Sequence, residues 1–363
     1  MRRLLHILLL LCATLVVGCD ATIHEYPDTT INKPASVPFL LDLSFNTDMP
    51  IINQTVTKKT RAALTDEDFD LRYTINVYRA TEWRQINGEF VTRFVFSKDD
   101  VSDWNNTVEI ELEEGNYDIV VWADFVEQGS TADKYYNTER FDYIYVFNEL
   151  EPCNDYRDAF VGYSRIELTK ESRAEAQLVP MERPMAKYRF ISNDLETFIS
   201  RMLEKKKQEM SRNEEETKGE GEDTKGENDD TKGDTKVQID LEDYYVVFTY
   251  TSYVNTTFNA LLNIPASPSQ CLSYNSEIHK INESEAELGF DYIFVNGVDT
   301  KVWVSVSVLE KDTNYEIARV NEFLVDLSRS KLTEVRGAFL TTQQSGGVGI
   351  EPGFDDEFTV EIL

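Results

Sequence analysis

Two antiparallel β-sandwiches in tandem, with a single helix in the second, form the all-β architecture this sequence predicts. Three observations predict it. Aromatic residues are abundant, 18 Tyr and 20 Phe, and recur with Val and Thr in short runs, which is strand composition. The runs alternate apolar and polar residues with period two, so every other side chain points to one face. Before residue 190 no helix of convincing length appears, and the strands and turns are spaced as in a sandwich.

The first block, over 37–182, starts with Val37 to Phe45 and continues with Leu71 to Arg79, Phe90 to Phe96 and Val108 to Leu112. Glu109 and Glu111 flank Val108, Ile110 and Leu112, so this run wets one face and buries the other. Tyr117 to Phe125, Arg157 to Leu168 and Arg173 to Leu178 complete the block.

The second block, over 183–363, opens with the strand Met185 to Ile191. Asn193-Asp194-Leu195-Glu196 then has the form of a capping signal. Leu195, Phe198, Ile199, Met202 and Leu203 follow at helical spacing, an apolar stripe read as a core face. After Lys205 the helix loses its apolar side. Residues 211–237 repeat Thr-Lys-Gly at Thr217, Thr224 and Thr231 between acidic spacers. With no apolar residue from Ser211 through Lys236, this insertion is expected to be disordered, and it lacks the ligand spacing of an EF-hand. Strands resume at Tyr244 to Tyr250, Phe290 to Val295, Lys301 to Leu309, Ile317 to Val325 and Phe358 to Leu363. Asn296-Gly297 between two of them suits a hairpin turn.

The N-terminus carries an address. Arg2 and Arg3 precede 14 residues, Leu4 to Val17, that are apolar apart from His6 and Thr14, and whose end makes Leu15-Val16-Val17-Gly18-Cys19 with the next two residues. Such a run is too short for a bilayer-spanning helix, which needs about 20 residues. It reads as a signal peptide over 1–18 that ends in a lipobox, with Cys19 as the acylated residue. Residues 19–36 form a polar tether with two prolines. The expected location is the outer membrane, with the protein held by acyl chains on Cys19 and exposed at the surface.

Charge narrows the partners. The chain has 36 Lys and Arg against 66 Asp and Glu, a formal charge of −30, and loss of Arg2 and Arg3 takes it to −32. That balance argues against nucleic acid and anionic lipid. Two cysteines remain in the body, Cys153 and Cys271. A disulfide between them is permitted outside the cytoplasm, though their separation favours two separate thiols.

No catalytic constellation emerges. Only His24 and His279 survive signal cleavage, and His279 sits in a polar stretch read as loop. Gly-x-Ser-x-Gly, His-Glu-x-x-His, a phosphate loop and Cys-x-x-Cys are all absent. No cofactor and no metal site is expected, and Asp355-Asp356-Glu357 reads as a turn. Two features point to polypeptide handling. Gly346 to Phe354 is a glycine-rich approach to a terminal strand, which can pair with its own sheet or with another subunit. Lys58-Lys59-Thr60-Arg61 is a basic patch that a trypsin-like protease could cut.

The lipobox, the start Cys19-Asp20 with Ile23 to Pro27, Tyr117 to Asp124, Glu182 to Phe190 and Gly346 to Ile350 with Gly353-Phe354-Asp355 together resemble lipoproteins of Bacteroides and related gut bacteria. These fall in the fimbrillin-like superfamily of pilins and pilus anchors, in a branch known as a domain of unknown function. The resemblance implies two transthyretin-like Greek-key sandwiches and a non-enzymatic, cell-surface role in pili or adhesion. In polymerising members an Arg-specific protease removes the first strand, and a neighbour's terminal strand fills the groove. Arg61 is the position here that could match such a cut. Anchor members keep their lipid and first strand. The expected partners are therefore membrane lipid through Cys19 and other fimbrial subunits by strand exchange. A surface glycan-binding lipoprotein of a polysaccharide-uptake system is the alternative, with the same export signal and strand content.

Overall fold

The computed structural model describes residues 37–46, 49, 69–82, 86–98, 105–147, 151–169, 175–219, 238–270, 272–297 and 300–343. Its first half contains β1 (Val37–Phe45), β2 (Phe69–Arg79), β3 (Phe90–Lys98), β4 (Asn105–Leu112), β5 (Gly115–Glu127), β6 (Tyr136–Asn137), β7 (Ile144–Val146), β8 (Ala159–Leu168) and β9 (Gln177–Glu182). The second half contains β10 (Met185–Ser192), helix α1 (Leu195–Gly219), β11 (Tyr244–Tyr250), β12 (Val254–Asn259), β13 (Ile264–Ser269), β14 (Ser273–Ser276) and β15 (His279–Lys280). It ends with β16 (Ala286–Phe294), β17 (Thr300–Glu310), β18 (Glu316–Leu327) and β19 (Leu332–Gly337).

One topology is used twice. In the first sandwich the order β3-β2-β5-β8 continues into β9-β1-β4. The continuation is thin, only Val161 opposite Glu182 and Gly162 opposite Met181. There the sheet folds over, and Phe39, Leu41 and Leu43 of β1 share one core with Tyr73, Ile75, Ile119 and Val121. Gly162 suits the crossing, since a Cβ at that position would lie 2.3 Å from Met181 Sδ. In the second sandwich β14-β11-β17-β18 faces β15-β16-β10-β19. Replacing β1, β2, β3, β4, β5, β8 and β9 by β10, β11, β14, β16, β17, β18 and β19 converts one order into the other. In each sandwich the first and last strands run parallel, β1 with β9 and β10 with β19. The expected all-β architecture of two sandwiches, with α1 in the second, is thus present.

Each sandwich carries one inserted hairpin, and the two insertions meet. β6 and β7 come from the first half, β12 and β13 from the second, and together they make a sheet of order β13-β12-β7-β6. Thr257 opposite Tyr145 and Phe258 opposite Ile144 form the seam. This sheet packs on the outer face of the first sandwich, where Trp122 meets Tyr136, Phe258 and Phe294 with ring centroids 5.5, 6.1 and 6.2 Å away.

Several expectations need correction. One dry and one wet face describes β4, β11 and β17, but β2 and β5 are buried on both faces beneath the inserted sheet. The outward side of β2 carries Arg72, gripped by Asp124 at 2.9 and 2.7 Å and by Asp133 at 2.7 Å. Of the strand expected over Arg173 to Leu178 only Gln177 and Leu178 lie in a strand, the start of β9, which runs on to Glu182; residues 173 and 174 lie outside the described residues. β8 begins at Ala159 because residues 155–157 form a 3-10 turn. Asn296-Gly297 closes no hairpin, since β16 and β17 lie in different sheets; it turns the corner between them. His279 lies on the short strand β15 and not in a loop.

Helix α1 runs to Gly219, nine residues into the segment expected to be disordered. Its Glu, Lys, Arg and Gln are good helix formers, and absence of an apolar face does not by itself break a helix already anchored at one end. Residues 220–237 lie outside the described residues. The apolar stripe behaves as expected, with Leu195, Phe198 and Met202 buried in the second core. Asp194 serves the tertiary fold: its carboxylate accepts from the Leu340 and Thr341 amides at 3.3 and 2.9 Å and from the Thr341 hydroxyl at 2.6 Å.

Candidate strand-exchange seat and the junction between the sandwiches

Strand β1 lies in a seat made by two neighbours. It pairs antiparallel with β4 from Val37 opposite Leu112 to Ser44 opposite Asn105, and parallel with β9 from Leu41 opposite Gln177 to Phe45 opposite Met181. Phe39, Leu41 and Leu43 point inward and are buried. Burial of such side chains is worth about 1.5–3 kcal/mol each. Phe45 closes the far end, 5.1 Å from Phe160 and 5.9 Å from Tyr73 between ring centroids. Without β1, a row of backbone groups on β4 and β9 and an apolar trough would face water. That is the surface an extended segment can fill.

The junction between the sandwiches is polar and buried. Arg183 follows β9 and Asp158 precedes β8; the Arg183 Nε lies 2.8 and 2.9 Å from the two Asp158 oxygens, and both side chains are fully buried. The Arg183 carbonyl accepts from Arg329 Nε at 2.8 Å, which ties the second sandwich to the same point. Arg157 reaches across to Asp291 on β16. Asp291 also accepts from the Tyr250 hydroxyl at 2.7 Å, and Tyr250 bonds Tyr188, which in turn meets Tyr274 at 2.8 Å. Burial holds the three phenols well above their ordinary pKa, so they stay protonated and available as donors. Lys187 Nζ lies 2.5 Å from Asp155 and 3.8 Å from the Phe290 ring centroid. Cys153 is a free thiol with φ 58°; its amide donates to the Phe290 carbonyl at 3.0 Å, and its Sγ lies 3.1 Å from Ser276 Oγ.

A pocket of about 640 Å³ opens where the end of β1, the crossing of β8 and β9, and the β12–β13 turn come together. Phe45, Val161 and Met181 are apolar in its lining; Tyr163, Glu182 and Asn263 are polar.

The predicted site residues fall mostly elsewhere. Cys19, His24, Arg61 with Lys58 and Lys59, Cys271, the glycine-rich stretch 346–354, Asp355 to Glu357 and the terminal strand 358–363 lie outside the described residues. His279 is exposed, opposite Glu287. Among the described residues no cluster of three His, Cys, Asp or Glu is placed to hold a metal, and no helix is long and apolar enough to cross a membrane. Sequence reasoning missed the junction ion pairs. Their signal was charge inside strand-like runs, at Asp158 and Arg183, but only the fold shows that they meet.

A family model described as a family of unknown function, DUF6562, matches residues 35–362. No curated protein matches the chain. Among solved structures, a candidate polysaccharide-binding protein of Bacteroides thetaiotaomicron is similar at 11% identity over 82% of this chain and 91% of its own, with a TM-score of 0.44. The fimbrial anchor protein of Porphyromonas gingivalis is similar at 12% identity over 83% and 90%, TM-score 0.37. A fimbrial assembly protein of Parabacteroides distasonis is similar at 12% over 86% and 93%, TM-score 0.38.

Proposed function

We propose, for a chain that belongs to the DUF6562 family of unknown function, the role of a non-enzymatic outer-membrane lipoprotein that acts in adhesion as a fimbrial subunit or anchor. The observation that carries this reading is the seat of β1. An apolar strand fills a trough between β4 and β9, and the stretch that joins it to β2, residues 46–68, contains Arg61. Cleavage after Arg61 would detach β1 from the rest of the chain, and a neighbour's strand could take its place. An anchor would keep β1 and be held by acyl chains on Cys19.

Native outer-membrane fractions, immunoblotted after mild and after full heat denaturation with N-terminal analysis of each band, test this. A heat-sensitive ladder whose bands begin just after Arg61 means a strand-exchanged subunit. One band that retains lipidated Cys19 means an anchor. A soluble monomer with neither feature overturns both. Cys19→Ala is expected to release the protein from the membrane; a variant still wholly membrane-bound would sink the lipid assignment.

A further inference from the structure

We propose that the pocket at the β12–β13 turn binds a neutral, hydroxyl-rich sugar, with Tyr163 as its stacking plane and Glu182 and Asn263 as its polar rim. At about 640 Å³ the space lies within the range of small-molecule sites. Tyr163 is 41% exposed, and its hydroxyl is already engaged, donating to Asp118 Oδ1 at 2.8 Å. Arg165 holds that carboxylate through two further bonds of 2.7 and 2.8 Å. The phenol is therefore fixed at its tip and offers its apolar ring, the surface on which the C–H face of a pyranose stacks.

The rim is equally fixed. Asn263 sits in the turn with φ 56°, a left-handed conformation that asparagine tolerates. Its Oδ1 accepts from Arg329 at 2.6 Å, and its Nδ2 donates to Glu182 Oε1 at 3.3 Å. Arg329 also lies 3.3 Å from Glu182. A planar amide and a planar carboxylate, held by a third group beside apolar side chains, match the amphipathic surface of a sugar ring. Among the described lining residues Glu182 is the one charged group, and it is already paired, so the site suits a neutral ligand. The formal charge of −30 also disfavours polyanions. The proposal concerns the chain that retains β1, whose Ser44 and Phe45 are part of the pocket wall.

Affinity electrophoresis of the full chain in native gels containing yeast mannan, birch xylan or dextran, with polygalacturonate as the anionic comparison, tests it. At least one neutral polysaccharide is expected to retard the protein. Tyr163→Ala should weaken that retardation at least tenfold, and Tyr163→Phe should retain it. Asn263→Gly keeps a residue that tolerates φ 56° and removes the amide, so it carries the test if Tyr163→Ala fails to fold; it too should weaken retardation. Trp303→Ala, outside the pocket, should leave it unchanged. Retardation by polygalacturonate alone, by no neutral polysaccharide, or undiminished in both Tyr163→Ala and Asn263→Gly overturns the proposal. So does its loss in Trp303→Ala.

Discussion

Trp122 and Trp303 stand on the outward side of equivalent strands, β5 and β17, yet one is fully buried and the other is 43% exposed. The inserted sheet makes the difference. It covers the first sandwich and leaves the outer face of the second to solvent, where β11 alternates between buried and half-buried residues. The first strands differ in the opposite sense. β10 is held by side chains as well as by its ladder: Arg189 pairs with Glu334, Lys187 with Asp155, and Tyr188 joins the phenol network. It also leads directly into α1, whose Leu195, Phe198 and Met202 are buried in the second core. β1 is held by its ladder and by the apolar side chains of Phe39, Leu41, Leu43 and Phe45, and it leads into residues 46–68. Duplicated topology therefore does not mean duplicated attachment: β10 is tied by ion pairs and continues into a packed helix, whereas β1 is held by its ladder and apolar side chains.

The strongest way to break this comparison is at the junction. Arg183→Ala leaves the Asp158 carboxylate buried and without its arginine, at a cost of about 3–5 kcal/mol, read as a lower urea midpoint. A cost as small as that of a surface change would mean the junction does not hold the sandwiches. Next comes the paired tryptophan test. Trp122→Ala should cost about 3–5 kcal/mol and Trp303→Ala under about 1 kcal/mol in the same denaturation experiment; equal costs would erase the contrast between covered and bare faces. Tyr250→Phe removes the donor to Asp291 and the acceptor for the Tyr188 hydroxyl and should cost about 1–3 kcal/mol.

Strand release sharpens the contrast further. A labelled peptide of residues 37–45 is expected to enter Leu41→Ala faster than the unchanged chain, whereas a peptide of residues 185–192 should not enter Phe190→Ala. Entry of both at similar rates would make the two first strands equivalent.

The remaining test concerns pH. Burial pushes the Asp124 carboxyl up to about 6, against the pull of Arg72. Between pH 4 and 6 the folded state then holds a proton that the unfolded state has lost, so this group makes stability fall as pH rises. Asp124→Asn should remove up to about one proton from that slope; an unchanged slope would mean Asp124 is ionised throughout.

Much of the sandwich framework was legible because β1, β5, β11 and β17 are long and rich in β-branched and aromatic residues. The inserted sheet was not. β6 and β7 have two and three residues, and β13 contains Pro265 and Pro268, tolerated only because it is an edge strand. Its seam joins residues more than 100 positions apart, which no local pattern encodes. The end of α1 was misplaced because an apolar stripe marks where a helix packs, and residue propensity decides how far it continues. The pocket was invisible for a related reason: Tyr163, Glu182 and Asn263 come from three separate elements, brought together by the crossing of β8 and β9 and by the docking of the β12–β13 turn.

The parallel pairing of β1 with β9 has a mechanical consequence. β9 leads through Arg183 and Pro184 straight into β10, so a tension entering at the N-terminal end of β1 and leaving toward the second sandwich pulls the two strands in opposite directions along their length. The interstrand bonds are then loaded together in shear instead of parting one at a time like a zipper. β10 and β19 repeat the arrangement in the next sandwich. A chain built this way carries traction along its axis through whole ladders of interstrand bonds.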